Sequence, residues 1–343
     1  MIAAALVTLK QHRFEVAFAA LAAIAVAVWA LVTEFRLTSL GVPARCIDDW
    51  LITGPAGRED CAGAVREWGS ILSSGEGIFN GQGPLPLAAM PLLPFLVGLL
   101  GGVPLVAREL EARTAQTAWS LFPSRAMWLI RQLTPVVLVL GLSLVFAAFA
   151  ATPVAADRVA WGGGFASSDL GLHGPLVLIR AFAALGIGLF AGALLGRALP
   201  AFVLGGVLCF TLLTASGLAK DAWRAGLPPV VIGEAPPEGG EVVVAPRSIT
   251  TGYEWRTPEG QQISFQQARR IATAGGVPLP KADDQQDSAA GVWLAAHGYQ
   301  LVIVGITDEM ALGWGSYEAA IFGALGLVSL PTAFWLVQRR RPK

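Results

Sequence analysis

A charged insert separates two apolar stretches of the chain, and its residue types suit contact with another protein. It runs from Arg108 to Arg131, mixes arginine with glutamate, and carries Trp119 and Trp128. A membrane protein that folds a polar loop into helix beside the bilayer offers a surface on which a partner can dock. The alternative is an interfacial turn, in which the tryptophans belong to an aromatic belt and the arginines mark topology.

Local sequence predicts that the insert holds two helices with a break between them. Residues 104–119 can continue the preceding apolar span as helix, since Glu109 and Arg113 form an acid-first pair four residues apart. Pro123 ends that helix, and Ser124 is a natural N-cap for the next one. The next helix enters the third span and is long enough for roughly two turns to project beyond the hydrocarbon.

Composition indicates a polytopic membrane protein. Hydrophobic residues make up 54% of the chain and charged residues 14%, whereas soluble domains average about 25% charged. The net charge is zero, so the composition does not indicate the excess of basic residues that nucleic-acid binding requires. Six apolar spans approach the ~20 residues that cross a bilayer: Val16–Val32, Leu85–Ala107, Thr134–Thr152, Leu176–Leu195, Leu199–Leu218 and Tyr317–Val337. The second contains Pro86, Pro91 and Pro94, so we expect its outer end to be irregular.

Loop charge predicts the orientation. Short loops rich in Lys and Arg stay in the cytoplasm, and the basic tail from Arg339 to Lys343 favours a cytoplasmic C-terminus. The short outer loop 153–175 then holds only Arg158 as a basic residue. We expect a cell-membrane protein with both termini inside. An alternative for the first span is a signal peptide cleaved near Ala30, although the apolar run continues past that point.

The orientation divides the chain into five segments. They are 1–33 (N-terminal cytoplasmic segment and first span), 34–84 (first extracytoplasmic loop), 85–218 (spans two to five, with the cytoplasmic insert at 108–132), 219–316 (extracytoplasmic domain) and 317–343 (last span and basic tail). Cys46 and Cys61 share the first loop on the oxidising side, where a disulfide is expected and two free thiols are the alternative. Cys209 lies inside the fifth span and is interpreted as core.

The 219–316 segment has the length of a small α+β domain. Glu241–Ala245 and Gln300–Ile306 are predicted strands. Ser264–Ala274 is a predicted helix with Ser264 as N-cap, and Asp287–Gly298 is a second that stops at its glycine. The Pro/Gly-rich stretch 226–240 is typical of a linker. No metal-ligand spacing is present in this segment, and His297 is interpreted as structural.

Polar and small residues interrupt the apolar spans at a few positions. Ala184, Gly188, Gly192 and Gly196 recur every fourth residue on the fourth span, as where helices approach closely. This stripe either packs within the chain or forms a seam with a second subunit. Arg180 and Glu318 are ionisable and lie at similar depth near the outer surface, so they are functional candidates, a mutual salt bridge or snorkelling side chains.

Several motifs of enzymes and nucleotide-binding proteins are absent from the sequence. It has no GxxxxGK[ST] phosphate loop, no GxSxG and no HExxH. We therefore expect no catalytic residues and no cofactor or metal bound by this chain. The spans are otherwise made of Leu, Ala, Val and Phe, which favours a hydrophobic or amphiphilic substrate if the protein is a transporter.

The insert resembles a run found in actinobacterial ABC-2-type transporter permeases. The similar residues are Gly102-Val-Pro-Leu-Val-Ala-Arg-Glu-Leu-Glu-Ala-Arg-Thr, followed by Ala118-Trp119-Ser120, Ser124-Arg125 and Trp128-Leu129. The cysteine pair and the stretch Trp293–Tyr299 also fit that family, whereas the 228–290 region departs from it.

The resemblance implies an all-α bundle of six transmembrane helices, with a small α+β extracytoplasmic domain between helices 5 and 6. It further implies the permease half of a type V-like ABC exporter, with a second permease copy and a separate ATPase subunit that binds ATP and Mg. A coupling helix would lie at 108–125. The implied coupling residues are Arg108, Glu109, Glu111, Arg113, Thr114, Trp119, Arg125 and Trp128.

Two other functions compete with this one. In the first, the protein is a membrane-anchored sensor or assembly factor whose 219–316 domain binds a ligand or partner. In the second, it is a secondary transporter, which ranks last because the halves show no evident internal repeat and few buried charges.

Overall fold

Six long apolar helices dominate the computed structural model, which describes residues 8–42, 46, 62–73, 89–120, 122–162, 174–227, 230–235, 243–244, 249–277 and 288–339. Within that part of the chain, the segments long and apolar enough to cross a membrane are Arg13–Ser39, Leu93–Glu111, Arg125–Ala155, Pro175–Leu195, Ala198–Trp223 and Gly313–Arg339. They correspond one to one with the predicted spans. The predicted fold class, a six-helix membrane bundle with a small sheet region between the last two helices, is confirmed.

Most residues of the described part of the chain lie in helices. In chain order they are α1 (Arg13–Ser39), α2 (Ala62–Ser73), α3 (Leu93–Glu111), α4 (Thr114–Ser120), α5 (Arg125–Gly162), α6 (Pro175–Leu195) and α7 (Ala198–Gly226), then α8 (Phe265–Ala274), α9 (Ser288–Ala296) and α10 (Asp308–Arg339). The second span is shorter than predicted because α3 begins only at Leu93. Pro94 stands at its second position, where the missing N–H costs no intrahelical bond.

The centre of the bundle is the contact between α3 and α6. A Cβ atom built on Gly98 or Gly102 of α3 would lie 2.6 or 2.5 Å from a carbonyl oxygen of α6. From the other side, a Cβ on Gly188 or Gly192 would lie 3.1 or 3.0 Å from backbone atoms of Val103. The small-residue stripe of α6 therefore packs against α3 of the same chain. The last member, Gly196, instead ends α6 in a left-handed conformation at φ +64°.

Between α7 and α10 the chain forms a five-stranded antiparallel sheet, here called the sheet domain (residues 230–306). Its strands are β1 (Val230–Ala235), β2 (Val243–Val244), β3 (Ile249–Arg256), β4 (Gln262–Ser264) and β5 (Gln300–Ile306), in the spatial order β2-β1-β5-β3-β4. Trp255 of β3 packs with Ala268, Ala272, Ala290 and Leu294 of α8 and α9 in a small core of its own.

The sheet domain agrees with the sequence predictions only in part. Strand β5 has the predicted bounds, and α8 begins after Ser264 with a full capping box, in which Ser264 and Gln267 bond to each other's backbone N–H. Helix α9 ends before Gly298, which has φ +79°. The interpretation of 226–240 as a linker is wrong, because Val230–Ala235 forms β1 and pairs with β5. Of the predicted strand Glu241–Ala245, the structure describes Val243–Val244 as β2.

Candidate functional site

The insert turns sharply where the sequence predicts continuous helix. The prediction that helix runs through 104–119 is wrong, because α3 ends at Glu111 and α4 begins at Thr114. Arg113 adopts φ +59°, the one positive φ of a non-glycine residue in the described part of the chain. The Thr114 hydroxyl donates to a carboxylate oxygen of Glu109 at 2.5 Å. That bond reaches back over the turn and stabilises a backbone conformation that arginine rarely adopts.

The second predicted break is present as expected. Pro123 lies in the bend after α4, and α5 begins at Arg125. The Ser124 hydroxyl accepts a hydrogen bond from the backbone N–H of Met127 at 3.1 Å, which is the geometry of a serine N-cap. The middle of the insert is therefore a short helix, α4, which lies between two structured turns.

Arg108 joins the insert to the first helix of the bundle. Its guanidinium forms a salt bridge with Glu15, which lies in the first turn of α1. The Arg108 side chain remains 53% exposed, whereas that of Glu15 is 18% exposed. The pair therefore fixes the end of α3 against α1 while leaving one face of Arg108 open to solvent.

Glu111 joins the insert to α7. Its carboxylate oxygen Oε2 accepts a hydrogen bond from the backbone N–H of Ala198, the first residue of α7, at 3.0 Å. The first N–H groups of a helix have no partner within the helix, and the positive end of the helix dipole favours an anion there. A side chain of one span thus caps the start of another.

Arg125 joins the insert to α10. Its guanidinium donates to the carbonyl oxygens of Gln338 at 2.9 Å and Val337 at 3.3 Å, in the last turn of α10. It also lies 4.3 Å from the ring centroid of Trp119. Trp119 in turn meets Trp128 edge to face, with ring centroids 6.2 Å apart. Trp128 is 1% exposed and belongs to the main core of the bundle, so it acts through packing.

Four exposed residues at and after the turn between α3 and α4 are here called the insert tip: Ala112, Arg113, Thr114 and Thr117. Two of its members, Arg113 and Thr114, are among the residues that the resemblance implies for coupling. Glu109 lies partly buried beneath the tip and positions Thr114. The remaining implied residues Arg108, Glu111, Trp119, Arg125 and Trp128 connect the tip to the bundle.

His12 and its surroundings form a buried polar cluster beside the insert that the sequence did not reveal. His12 precedes α1 and is 3% exposed, and both of its ring nitrogens are buried. Burial lowers the pKa of His12 below its usual 6.5, against the carboxylates of Glu15 and Glu109, which raise it, and with the charge of Arg108, which lowers it. Gln132 of α5 completes the cluster.

Arg180 and Glu318 form a buried ion pair at the opposite end of the bundle. The Nε and Nη2 groups of Arg180 both donate to Oε1 of Glu318, the Nε contact at 3.0 Å, and the residues are 7% and 3% exposed. One helical turn before Glu318, Trp314 packs against Trp223 of α7 with ring centroids 5.5 Å apart. Of the interpretations open to the sequence, the structure therefore contains the mutual salt bridge, which joins α6 to α10.

Cysteines and metal ligands add little to the site. Cys46 is buried against Val65 and Val42, but Cys61 lies outside the described residues, so the Cys46–Cys61 disulfide stays a prediction. Cys209 is a free, buried thiol. The described ranges contain no group of three or more His, Cys, Asp or Glu side chains that could hold a metal ion.

A family model described as "ABC-2 membrane transporter related" matches residues 16–219, which run from within α1 into α7 and include the whole insert. No curated protein and no solved structure matches the chain. The matched segment ends before the sheet domain.

Proposed function

Because the chain belongs to the ABC-2 membrane transporter related family, we propose that it is the permease subunit of an ATP-driven exporter. Its six apolar helices and that family make it a multi-pass membrane protein. In this proposal the insert and both termini face the cytoplasm, where a separate ATPase subunit binds the insert tip. The energy for transport then comes from that subunit. This chain forms the pathway through the membrane, and its helices change position during transport.

One observation carries the proposal: the insert is bonded to the ends of three other spans. Arg108 contacts Glu15 of α1, Glu111 caps α7 at Ala198, and Arg125 binds the last turn of α10. An interfacial turn has no need of such connections. A displacement of the tip would be passed directly to α1, α7 and α10, which is how rigid-body coupling between a motor and a helix bundle works.

The part of the insert that the ATPase would displace is the short helix α4. Helix α4 lies between the left-handed Arg113 and the Ser124 cap, and the Trp119–Trp128 contact packs α4 against the core. A force on α4 therefore moves α3 and α5 together and does not dissipate in a flexible loop. The role of the tip is to bind and to transmit, and no catalytic group is required of it.

The substrate that fits this bundle is hydrophobic or amphiphilic. Most span surfaces are apolar, and the Arg180–Glu318 pair is internally compensated. The outward surface of α7 presents large apolar side chains at Leu199, Val203, Val207, Phe210 and Leu218. We assign this surface to contact with lipid and with a second permease copy. The substrate would pass outward between the two permease copies.

The test is purification of the tagged full-length chain from its host in mild detergent, with mass spectrometry of bound proteins. The proposal predicts an ATPase with a phosphate loop in stoichiometric amount, and loss of that ATPase on the exposed-tip substitution Arg113→Glu. The matched control is Arg270→Glu, which reverses an exposed charge in the sheet domain and retains the ATPase. Purification of the chain without an ATPase would contradict the proposal and favour a membrane-anchored sensor. Retention of the ATPase after Arg113→Glu would also contradict the proposal.

A further inference from the structure

A groove opens between α5 and α10 at the end of the bundle that carries the insert. Its volume is about 510 Å³, within the range of pockets that hold small organic ligands. The groove is lined by Leu133, Leu330, Pro331, Phe334, Trp335 and Gln338. Helix α10 packs mainly on α6 and only lightly on α5, so the two walls are not closed against each other. Five of the six lining side chains are apolar, which suits a hydrocarbon chain.

The end of the groove is basic. Arg339 stands over the ring of Trp335, its guanidinium carbon 4.4 Å from the ring centroid. The guanidinium of Arg125 reaches the carbonyl oxygen of Gln338 from α5. The sequence continues with Arg340, Arg341 and Lys343. An apolar groove that ends in positive charge is complementary to a molecule with a hydrocarbon tail and an anionic head.

We propose that the groove between α5 and α10 binds an anionic phospholipid of the bilayer, with an acyl chain along the apolar walls and its phosphate at Arg339. Guanidinium groups pair with phosphate oxygens through two parallel hydrogen bonds. Basic residues at a membrane surface attract anionic lipids, and pockets between helices can select their head groups. This lipid is a resident of the groove, so the inference goes beyond the transport function and does not depend on it.

The bound lipid would act on the same connection that the insert uses. Gln338 lines the groove and its carbonyl is held by Arg125, so a lipid seated there lies beside the bond between α5 and α10. Phosphatidylcholine could fill the apolar walls equally well, but the positive choline group offsets the charge of its phosphate and weakens the attraction to Arg339. Selectivity for charge is therefore the property that separates this site from ordinary bilayer contact.

Quenching of Trp335 by lipids with brominated acyl chains tests the proposal. The full-length chain is reconstituted into phosphatidylcholine vesicles that contain an increasing fraction of brominated phosphatidylglycerol or brominated phosphatidylcholine. The difference between the wild type and Trp335→Phe isolates the signal of this indole. We expect half-maximal quenching of Trp335 at about fivefold lower mole fraction of the anionic lipid, since one basic residue contributes about that factor.

Two charge-removing variants complete the test. Arg339→Gln should abolish the fivefold preference, whereas Arg13→Gln should preserve it. Arg13 is a matched control because it also stands over an aromatic ring, 4.7 Å from the centroid of Phe14, and lies at the start of α1. Equal quenching by the two lipids in the wild type would show only bilayer contact and overturn the proposal, as would a preference that survives Arg339→Gln.

Discussion

Glu111, the last residue of α3, caps the first backbone N–H of α7 at Ala198 across 3.0 Å. The two residues belong to different spans and are separated by the whole of α4, α5 and α6. The contact makes the position of α7 depend on the end of the insert. It also gives the insert a structural role inside the bundle.

Substitution of Glu111 should weaken the link between the insert and α7. Glu111→Ala removes the acceptor and should destabilise the start of α7 by about 1 kcal/mol, the usual effect of losing a helix cap. Glu111→Gln keeps an acceptor oxygen and should retain most of that stability. Thermal unfolding in detergent measures both variants. Equal unfolding temperatures for Glu111→Ala and the wild type would show that the cap is not formed in solution.

The buried Arg180–Glu318 pair should be far more sensitive to loss of one member than of both. Glu318→Leu leaves the guanidinium of Arg180 buried and uncompensated, which should cost about 3–5 kcal/mol. The double variant Arg180→Met with Glu318→Leu removes both charges and should recover most of that loss. Unfolding temperatures of Glu318→Leu, of Arg180→Met and of the double variant give the comparison. Additive losses would mean that the charges do not interact.

The α3–α6 contact should not accept a methyl group. In Gly102→Ala the new Cβ meets the backbone of Leu185, which cannot move aside as a side chain would. The helices must separate, at a cost of about 1–3 kcal/mol. Gly141→Ala in α5 is the control, since a Cβ there would have nothing within 4 Å, and it should leave stability unchanged or slightly increased. A harmless Gly102→Ala would refute the close packing.

His12 should make the stability of the insert end depend on pH. Burial lowers its pKa below the usual 6.5, so the folded protein prefers the neutral ring. As pH falls below about 6.5, the unfolded chain binds a proton that the folded chain resists, and stability decreases until pH passes the lowered pKa. At pH values above about 6.5 the ring is neutral in both the folded and the unfolded chain, so His12 no longer lowers the stability of the fold. Unfolding temperature against pH should therefore fall on acidification in the wild type.

The controls for this pH effect are two histidine substitutions. His12→Gln should flatten the profile between neutral and mildly acidic pH, whereas His297→Gln, which changes an exposed residue in the sheet domain, should leave it in place. A wild-type profile that already lacks the decrease would contradict the buried neutral state of His12. The relevant neighbours, Glu15, Arg108, Glu109 and Gln132, are unchanged in both variants.

Features that depend on local sequence could be predicted, and those that depend on distant contacts could not. A span of about 20 apolar residues is visible in any window, and Ser264 with Gln267 carries its capping signal within four residues. The break at Arg113 was missed because the charge pairs there favour helix, while the bond from Thr114 to Glu109 stabilises a turn. Strand β1 was missed because its pairing with β5 overrides a Pro/Gly-rich surrounding.

The candidate site shows the same division. The resemblance named Arg113 and Thr114, which are exposed at the tip. It gave Glu111 and Arg125 as coupling residues, but only the folded chain reveals that they bind Ala198 and the end of α10. Glu15 lies far from the insert in sequence, so its salt bridge with Arg108 has no local signal.

Site-specific cross-linking from the insert tip tests the central claim most directly. Arg113→Cys in a Cys209→Ala background places a thiol at the tip, and a short bifunctional reagent is applied to membranes that contain the native partner. The account predicts a cross-linked product of this 35.8 kDa chain with an ATPase subunit, absent when the thiol is placed in the sheet domain by Arg270→Cys. A tip thiol that yields no ATPase adduct, with the ATPase present in the same membranes, would contradict it.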